Sequence, residues 1–454
     1  MKKVDFAQGS ITKNILQTAF PMLVAQVLNL LYNIVDRMYI GRIPETGTQA
    51  LGAVGLCFPI IILVTAFTNM FGTGGAPLFS MALGRGDRKE AEEVQNTAFR
   101  LLILTAIVLT LVGEFLGGPL LLLFGATKAE LPVSLSYLRV YMVGTVFIML
   151  ATGMNSYINA QGFPVIGMVS VTIGAVANLV LDPLFIFALG FCVEGAAIAT
   201  VLSQLLSFLF VLRFLFGKRN EIRVSFAWSF PHAGDIISLG LAQFAMQFTN
   251  FLVQIVCNNM LVQYGGTMYV SIMTVLSSVR SILEVPFMSI GEGASPVISY
   301  NYGAGKPRRV ERAILVMLVA VLPYMVVTWL LVTKAPEFFV RLFSDDAVLL
   351  AEASRVMRLY FCAFIFLSLQ FTGQTVYKAL KKKKRAIFFS LFRKVILVVP
   401  LTYLLPKLWN LGTDGVFLAE PVSNVVGGLA SFITMLVTIL PELRRMKNQE
   451  EADD

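Results

Sequence analysis

Twelve long apolar runs separated by short polar links leave this chain one class of fold. They lie at roughly 14–40, 50–83, 94–118, 131–160, 164–189, 194–216, 234–262, 267–301, 310–333, 347–379, 385–406 and 414–440. Each is long enough to cross a bilayer as a helix, which takes ~20 residues. Several exceed that length, so tilt or ends protruding into water are expected. Lipid offers the backbone no hydrogen-bond partner, so a spanning segment is a helix or a strand of a closed barrel. The period-two alternation of barrel strands is absent, and the fold class is an all-α membrane protein. Composition agrees: 57% of residues are hydrophobic and 14% charged, against roughly 25% charged in soluble domains.

A net charge of +9 could suit a nucleic-acid binder, but the basic residues sit in the links. Lys2, Lys3 and Lys13 precede the first run, and Arg85, Arg88 and Lys89 follow the second. Lys218, Arg219 and Arg223 lie in the central link, followed later by Lys306, Arg308, Arg309 and Arg312. The run Lys381 to Arg385 and the group Arg444, Arg445 and Lys447 complete the set. The intervening links 190–194 and 263–267 carry no basic residue. By the positive-inside rule both termini are cytoplasmic, in what is expected to be a bacterial plasma membrane. Cys57, Cys192, Cys257 and Cys362 lie in or beside apolar runs without CxxC spacing, which indicates neither disulfides nor a metal. The first run is too long for a cleavable signal and lacks a small-residue cleavage site.

The chain repeats itself. GGAPLFSMALGRGDRKEAE at 74–92 matches GASPVISYNYGAGKPRRVE at 293–311, an offset of 219. Gln26 and Asn29 fall on Gln247 and Asn250 at 221, and Gly195, Ala199 and Ser203 on Gly415, Ala419 and Ser423 at 220. An even number of spans per half makes the repeats parallel, related by an axis along the membrane normal. The expected division is a bundle at 1–216, a cytoplasmic link at 217–233, a second bundle at 234–440 and a polar tail at 441–454. Two six-helix bundles related in this way form a transporter architecture.

Polar residues inside spans are the site candidates, because a charge in the membrane costs ~2.5–3.5 kcal/mol even on lenient insertion scales. The first run carries Pro21, then Gln26, Asn29, Asn33 and Asp36 on one helical face. The plain structural account of Asp36 is a partner in Arg37 or Arg42. The fifth run holds Asn178 and Asp182 four residues apart, and the sixth holds Thr200. Counting from the outer ends at 1.5 Å per residue, Asp36, Asp182 and Thr200 share one level, roughly 6–9 Å below the outer surface. Asn178 lies one turn deeper. An all-oxygen set suits a hard cation or a shared proton.

These residues carry a resemblance. Pro21 with VDRMYIG (35–41), the second and eighth spans leading to GRGD and GAGK, and ANLVLDP with AIAT are similar to the multidrug and toxic compound extrusion (MATE) family. The similarity covers the whole chain and is to the DinF/MepA-like branch rather than the NorM-like one. It implies two six-helix bundles around a central cavity and exchange of Na⁺ or H⁺ for drugs. It places the cation site at Asp36, Asn178, Asp182 and Thr200, and bending of the first helix near Pro21. The other branch adds acids in the seventh and tenth helices, where this chain has amides (Gln243, Gln247, Asn250, Gln254; Gln370, Gln374). The repeat is asymmetric in the same sense: Asp36 maps to Cys257, Asp182 near Leu401, and only Thr200 gains charge, as Glu420.

Glu284 and Glu292 lie on one face of the eighth span. A salt bridge from Arg280 to Glu284 is the structural account; cavity acids that attract cationic cargo are the functional one. Asn29, Asn33, Gln247 and Asn250 are further cavity candidates, against interhelical hydrogen bonding. Gly72–Gly75 and GAGKP lack the full phosphate-loop pattern, and His232, the only histidine, stands in a polar link. The expected function is a cation-coupled antiporter exporting amphipathic, cationic compounds. Its partners would be lipid and small organic molecules, with no nucleic acid or nucleotide. It would act as a monomer, with no cofactor and no metal beyond Na⁺ or H⁺ as coupling ion. Two alternatives are a lipid-linked oligosaccharide flippase, which would want a strongly cationic cavity, and a membrane-embedded enzyme, for which no catalytic constellation is visible.

Overall fold

A computed structural model of the chain describes residues 3–44, 47–128, 130–217, 220, 222, 224, 225, 228–343 and 346–453. Lys2, Lys218, Arg219 and Arg223, used above for orientation, lie outside the described residues. Every regular element described is helical. The first half runs α1 (Ile11–Gly41), α2 (Gly47–Gly84), α3 (Arg88–Leu123), α4 (Leu131–Val143), α5 (Thr145–Ala160), α6 (Pro164–Pro183) and α7 (Cys192–Leu215). The second runs α8 (Ala233–Gly265), α9 (Thr267–Gly303), α10 (Pro307–Lys334), the short α11 (Pro336–Arg341), α12 (Ala347–Tyr360), α13 (Phe366–Ala379), α14 (Lys383–Leu391), α15 (Val399–Leu404) and α16 (Thr413–Asp453).

Among the described residues, ten segments are long and apolar enough to cross a membrane alone. The pair α4–α5, bent by 52° at a one-residue break, makes an eleventh. The remaining expected run, 347–379, is α12 and α13 with turns between them. Its first half is amphipathic, with Glu352, Arg355 and Arg358, so it fails as a continuous apolar span. Helix α16 continues through the expected polar tail to Asp453.

Two helices are interrupted by wider, π-type turns. In the first half Pro183 ends α6; it has no amide hydrogen, and its ring crowds the carbonyl four residues back. The chain continues as a π turn at Leu184–Ala188. In the second half a π turn at Phe392–Val398 joins α14 to α15, just before Pro400.

The chain forms two compact units, and each contains the start of the other unit's first helix. The first unit comprises Met1–Asp5 and Pro21–Gly240; the second comprises Phe6–Phe20 and Leu241–Asp454. Helix α1 therefore changes unit at Pro21, and α8 changes at Leu241. Two close backbone crossings, one in each unit, hold these exchanged ends. A Cβ on Gly74 of α2 would lie 2.4 Å from the Cα of Gly240, and one on Gly293 of α9 would lie 2.6 Å from the backbone nitrogen of Ala19. Gly74 and Gly293 are repeat partners, and so are Ala19 and Gly240, so one crossing is built twice. Small residues at such points allow helices to approach closely in lipid. Within the first unit α2 packs on α3 and α5, and α6 on α7; within the second, α9 packs on α10 and α13, and α13 on α16. The link lies along α3: Thr97 donates to the Pro231 carbonyl (2.8 Å), Asn96 accepts from the Ser225 amide (3.0 Å), and His232 meets Glu93 (3.2 Å).

Candidate functional site

In the first unit, Asn178 and Asp182 stand one turn apart on α6, both buried, and the Asn178 amide donates to Asp182 Oδ1 at 3.0 Å. Helix α1 brings Asp36 to the same place, and the two carboxyls face each other within hydrogen-bonding reach. The Arg37 guanidinium lies over the Phe58 ring, 5.1 Å from its centroid, and acts on Asp36 electrostatically, though among the described residues neither Arg37 nor Arg42 forms a salt bridge with it. Three buried oxygens here have no hydrogen-bond partner: Asp36 Oδ1, Asn178 Oδ1 and Asp182 Oδ2. Two facing carboxylates cannot both stay charged in a poorly solvated site unless a proton or cation lies between them. The unpartnered atoms are all hard oxygen donors, which fits H⁺ or Na⁺ and not a soft metal.

Thr200 is half-buried on α7, and no hydrogen bond ties it to the other three. Two tyrosines that spacing did not single out stand close enough to interact electrostatically with both carboxyls, Tyr32 of α1 and Tyr137 of α4. Tyr137 is buried and stacks with Tyr141, ring centroids 6.3 Å apart. Ser134, Tyr137 and Tyr141 fall three and four residues apart, a one-face polar stripe that could have identified them.

The repeat-related place in the second unit has neutral groups. Cys257 Sγ lies 3.8 Å from Thr402 Oγ1, and Thr402 donates to the Val398 carbonyl at 2.8 Å. The partner of Asp182 is thus Thr402, one residue beyond the expected Leu401. Charge gathers beside them, around a cavity of about 280 Å³ that Cys257 itself lines. Glu420 of α16 accepts at one oxygen, Oε1, from Arg280 of α9 (2.5 Å), Arg393 (2.7 Å) and Lys394 (3.1 Å). Arg280 Nε also donates to Glu284 Oε1 at 2.6 Å, the salt bridge anticipated as the structural account. The amides Asn250 and Gln254 also line this cavity. Three cations line it beside two acids, and the π turn supplies two of them from a run that read only as a span.

The other cavity candidates scatter. Asn250 and Glu284 line this space; Gln247 and Glu292 do not. Glu292 lies within electrostatic range of Lys378, whose ammonium donates to Gln243 at 3.0 Å. Asn29 and Asn33 are exposed on α1, with the Asn33 amide donating to the Asn29 carbonyl at 2.6 Å. Pro21 lies inside a continuous α1.

The comparisons with known proteins bear on the whole chain. The MatE family model matches residues 21–184 and again 243–404, one stretch in each half. A multidrug export protein MepA of Staphylococcus haemolyticus is 24% identical across 95% of this chain and 94% of its own length. An FAD transporter of Shewanella oneidensis is 25% identical across 93% and 94%. The outward-facing structure of a multidrug resistance MATE family transporter of the MOP superfamily, 22% identical, superposes with a TM-score of 0.90 over 99% of both chains. The duplicated match follows the internal repeat, and the relatives are transporters rather than enzymes. This chain is a multi-pass membrane protein that belongs to the MatE family of transporters.

Proposed function

We propose that this transporter is a cation-coupled antiporter that exports amphipathic organic compounds by alternating access, with Asp36, Asn178 and Asp182 as the coupling site. The observation that carries this is the facing pair Asp36–Asp182 with three buried oxygens left without partners. Such a pair has two occupancies, with and without a proton or Na⁺, and the two differ in charge. A conformational change requires that kind of differential interaction, not binding alone. One charge moving through 100 mV supplies ~2.3 kcal/mol, roughly a fifty-fold concentration ratio. Thr200 of α7 stays a candidate fourth oxygen donor.

The relatives' names support organic cargo, and the basic links support cytoplasmic termini in a bacterial plasma membrane. The flippase alternative needs a cavity that outbalances a pyrophosphate, which carries at least two negative charges. Three cations beside two acids leave a single positive charge, so export of smaller amphipaths is favoured. The test is dye efflux from proteoliposomes under an imposed Na⁺ or H⁺ gradient. Asp36→Asn and Asp182→Asn should each abolish ion-driven efflux while inserting normally. Full efflux by both variants would remove the coupling assignment.

A further inference from the structure

We infer that the second-unit cavity built around Arg280, Arg393 and Lys394 binds the carboxylate of an amphipathic, aromatic cargo. The inference rests on the reading of this chain as an exporter of organic compounds and adds the charge of the cargo.

Charge balance is the first argument. Arg280 is shared between Glu284 and Glu420, whereas Arg393 and Lys394 have only Glu420. All three cations crowd its Oε1; Oε2 receives Lys394 alone, at 3.4 Å. The second partner of Arg393 Nη1 is neutral, Asn424 Oδ1 at 2.9 Å. Arg393 Nε is buried with no partner. Arg393 and Lys394 are each only 7% exposed, so water does little to relieve the one positive charge left over. A monoanion restores neutrality, and a guanidinium fork matches carboxylate geometry better than an ammonium does.

Local backbone is the second argument. In an α-helix, consecutive side chains diverge by about 100°. The π turn at Phe392–Val398 changes that rotation, and Arg393 and Lys394 both reach the same carboxylate. Single π turns recur at functional sites.

The rest of the wall suits an organic body more than a bare inorganic ion. Phe287 and Phe371 meet edge to face, centroids 5.0 Å apart, and Met246 and Met288 add adaptable apolar surface. A cavity that is mostly apolar with a few convergent polar groups is the usual form of a small-molecule site. A cationic cargo would meet Arg280 there, and both acids are already occupied.

The test compares a carboxylate-bearing rhodamine with its methyl ester, which keeps the same cationic ring system and caps the carboxylate. Fluorescence anisotropy is measured on the full-length protein in lipid nanodiscs. The free acid should bind about tenfold tighter, the worth of one charge-assisted hydrogen-bond pair. Arg393→Gln should erase most of that preference by weakening the acid and leaving the ester nearly unchanged. Lys394→Met is the second variant should the first fold poorly, and the wild-type comparison needs neither. Equal affinity for acid and ester in the wild type, or an undiminished preference in both variants, would overturn the proposal. Binding in discs needs no ion gradient, so a failed efflux assay and a failed binding assay are separate results.

Discussion

The two units are copies of one design that differ in where their ionisable atoms stand. In the first, Asp36 of α1 faces Asp182 of α6; at the matching place in the second, Cys257 touches Thr402. The contact between the two helices is retained and its charge is gone. Conversely, Arg393 and Lys394 in the second unit match Ile173 and Gly174 at offset 220, and Glu420 matches Thr200. A duplicated backbone therefore does not duplicate a site. One unit has an acidic pair with unpartnered oxygens, and the other has a cation surplus around two acids. A protein that exchanges an inorganic cation for an organic molecule gains from that separation, because the two ligands need not displace each other from one set of groups.

The sharpest way to break this comparison is at its charged pivot. Glu420→Gln leaves Arg280, Arg393 and Lys394 buried together without their shared carboxylate. Removing one partner of a buried ion pair costs about 3–5 kcal/mol, so thermal unfolding in detergent should shift down strongly and yield should fall. Adding Lys394→Met to that variant should recover a good part of the loss, since one of the stranded charges goes with it. Thr200→Val in the first unit, by contrast, should shift unfolding little. Equal shifts for Glu420→Gln and Thr200→Val would mean that the cluster is no electrostatic centre.

A second pair of variants sharpens what the units share. Gly74→Ala and Gly293→Ala each put a methyl group against the backbone of an exchanged helix end, Gly240 in one unit and Ala19 in the other. Overpacking of this kind costs about 1–3 kcal/mol. The two losses should be alike, because the crossing is the same structure used twice. A tolerated Gly74→Ala beside a damaging Gly293→Ala would show that only one of the exchanges is held tightly.

Much of this was legible in the sequence, for reasons that differ by residue. Lipid forces each apolar run into a helix, so spans and repeats could be counted directly. Asp36 and Asp182 could be brought together by counting rise along two helices, since depth depends on 1.5 Å per residue and little else. The same count puts Thr200 at that level, but depth says nothing of which way a side chain faces on α7. Arg393 and Lys394 escaped because hydropathy averages over a span and because a π turn breaks the rotation on which face assignments rest. The bend between α4 and α5 hid Tyr137 in a similar way, inside a run that read as one straight segment. Exchange of the helix ends could not be read at all, since nothing local marks which unit Ile11–Phe20 packs into.

The smallest expected effect tests the one place where the two crossing helices differ. Helix α1 changes unit at Pro21, and α8 changes at Leu241, with Ala242 as the repeat partner of Pro21 at offset 221. Proline has no amide hydrogen, so the Gln17 carbonyl lacks its helical partner, and α1 can bend there while α8 cannot do so as easily. Asp36 stands fifteen residues further on, about 22 Å along the same helix. A proton or Na⁺ at Asp36 can then bias a helix whose soft point lies at the unit boundary. Pro21→Ala makes α1 resemble α8 and favours the straight form; the intrinsic difference between the two residues is about 3 kcal/mol in a helix interior, of which a bent helix regains part. Unfolding should be unchanged or slightly raised, cation affinity should stay within a few-fold, and exchange between inward- and outward-open forms should slow. Distances between spin labels placed one on each unit, followed as the ion gradient is switched, measure that exchange. An unaltered rate would mean that the two units move as rigid bodies and that Pro21 is a tolerated kink.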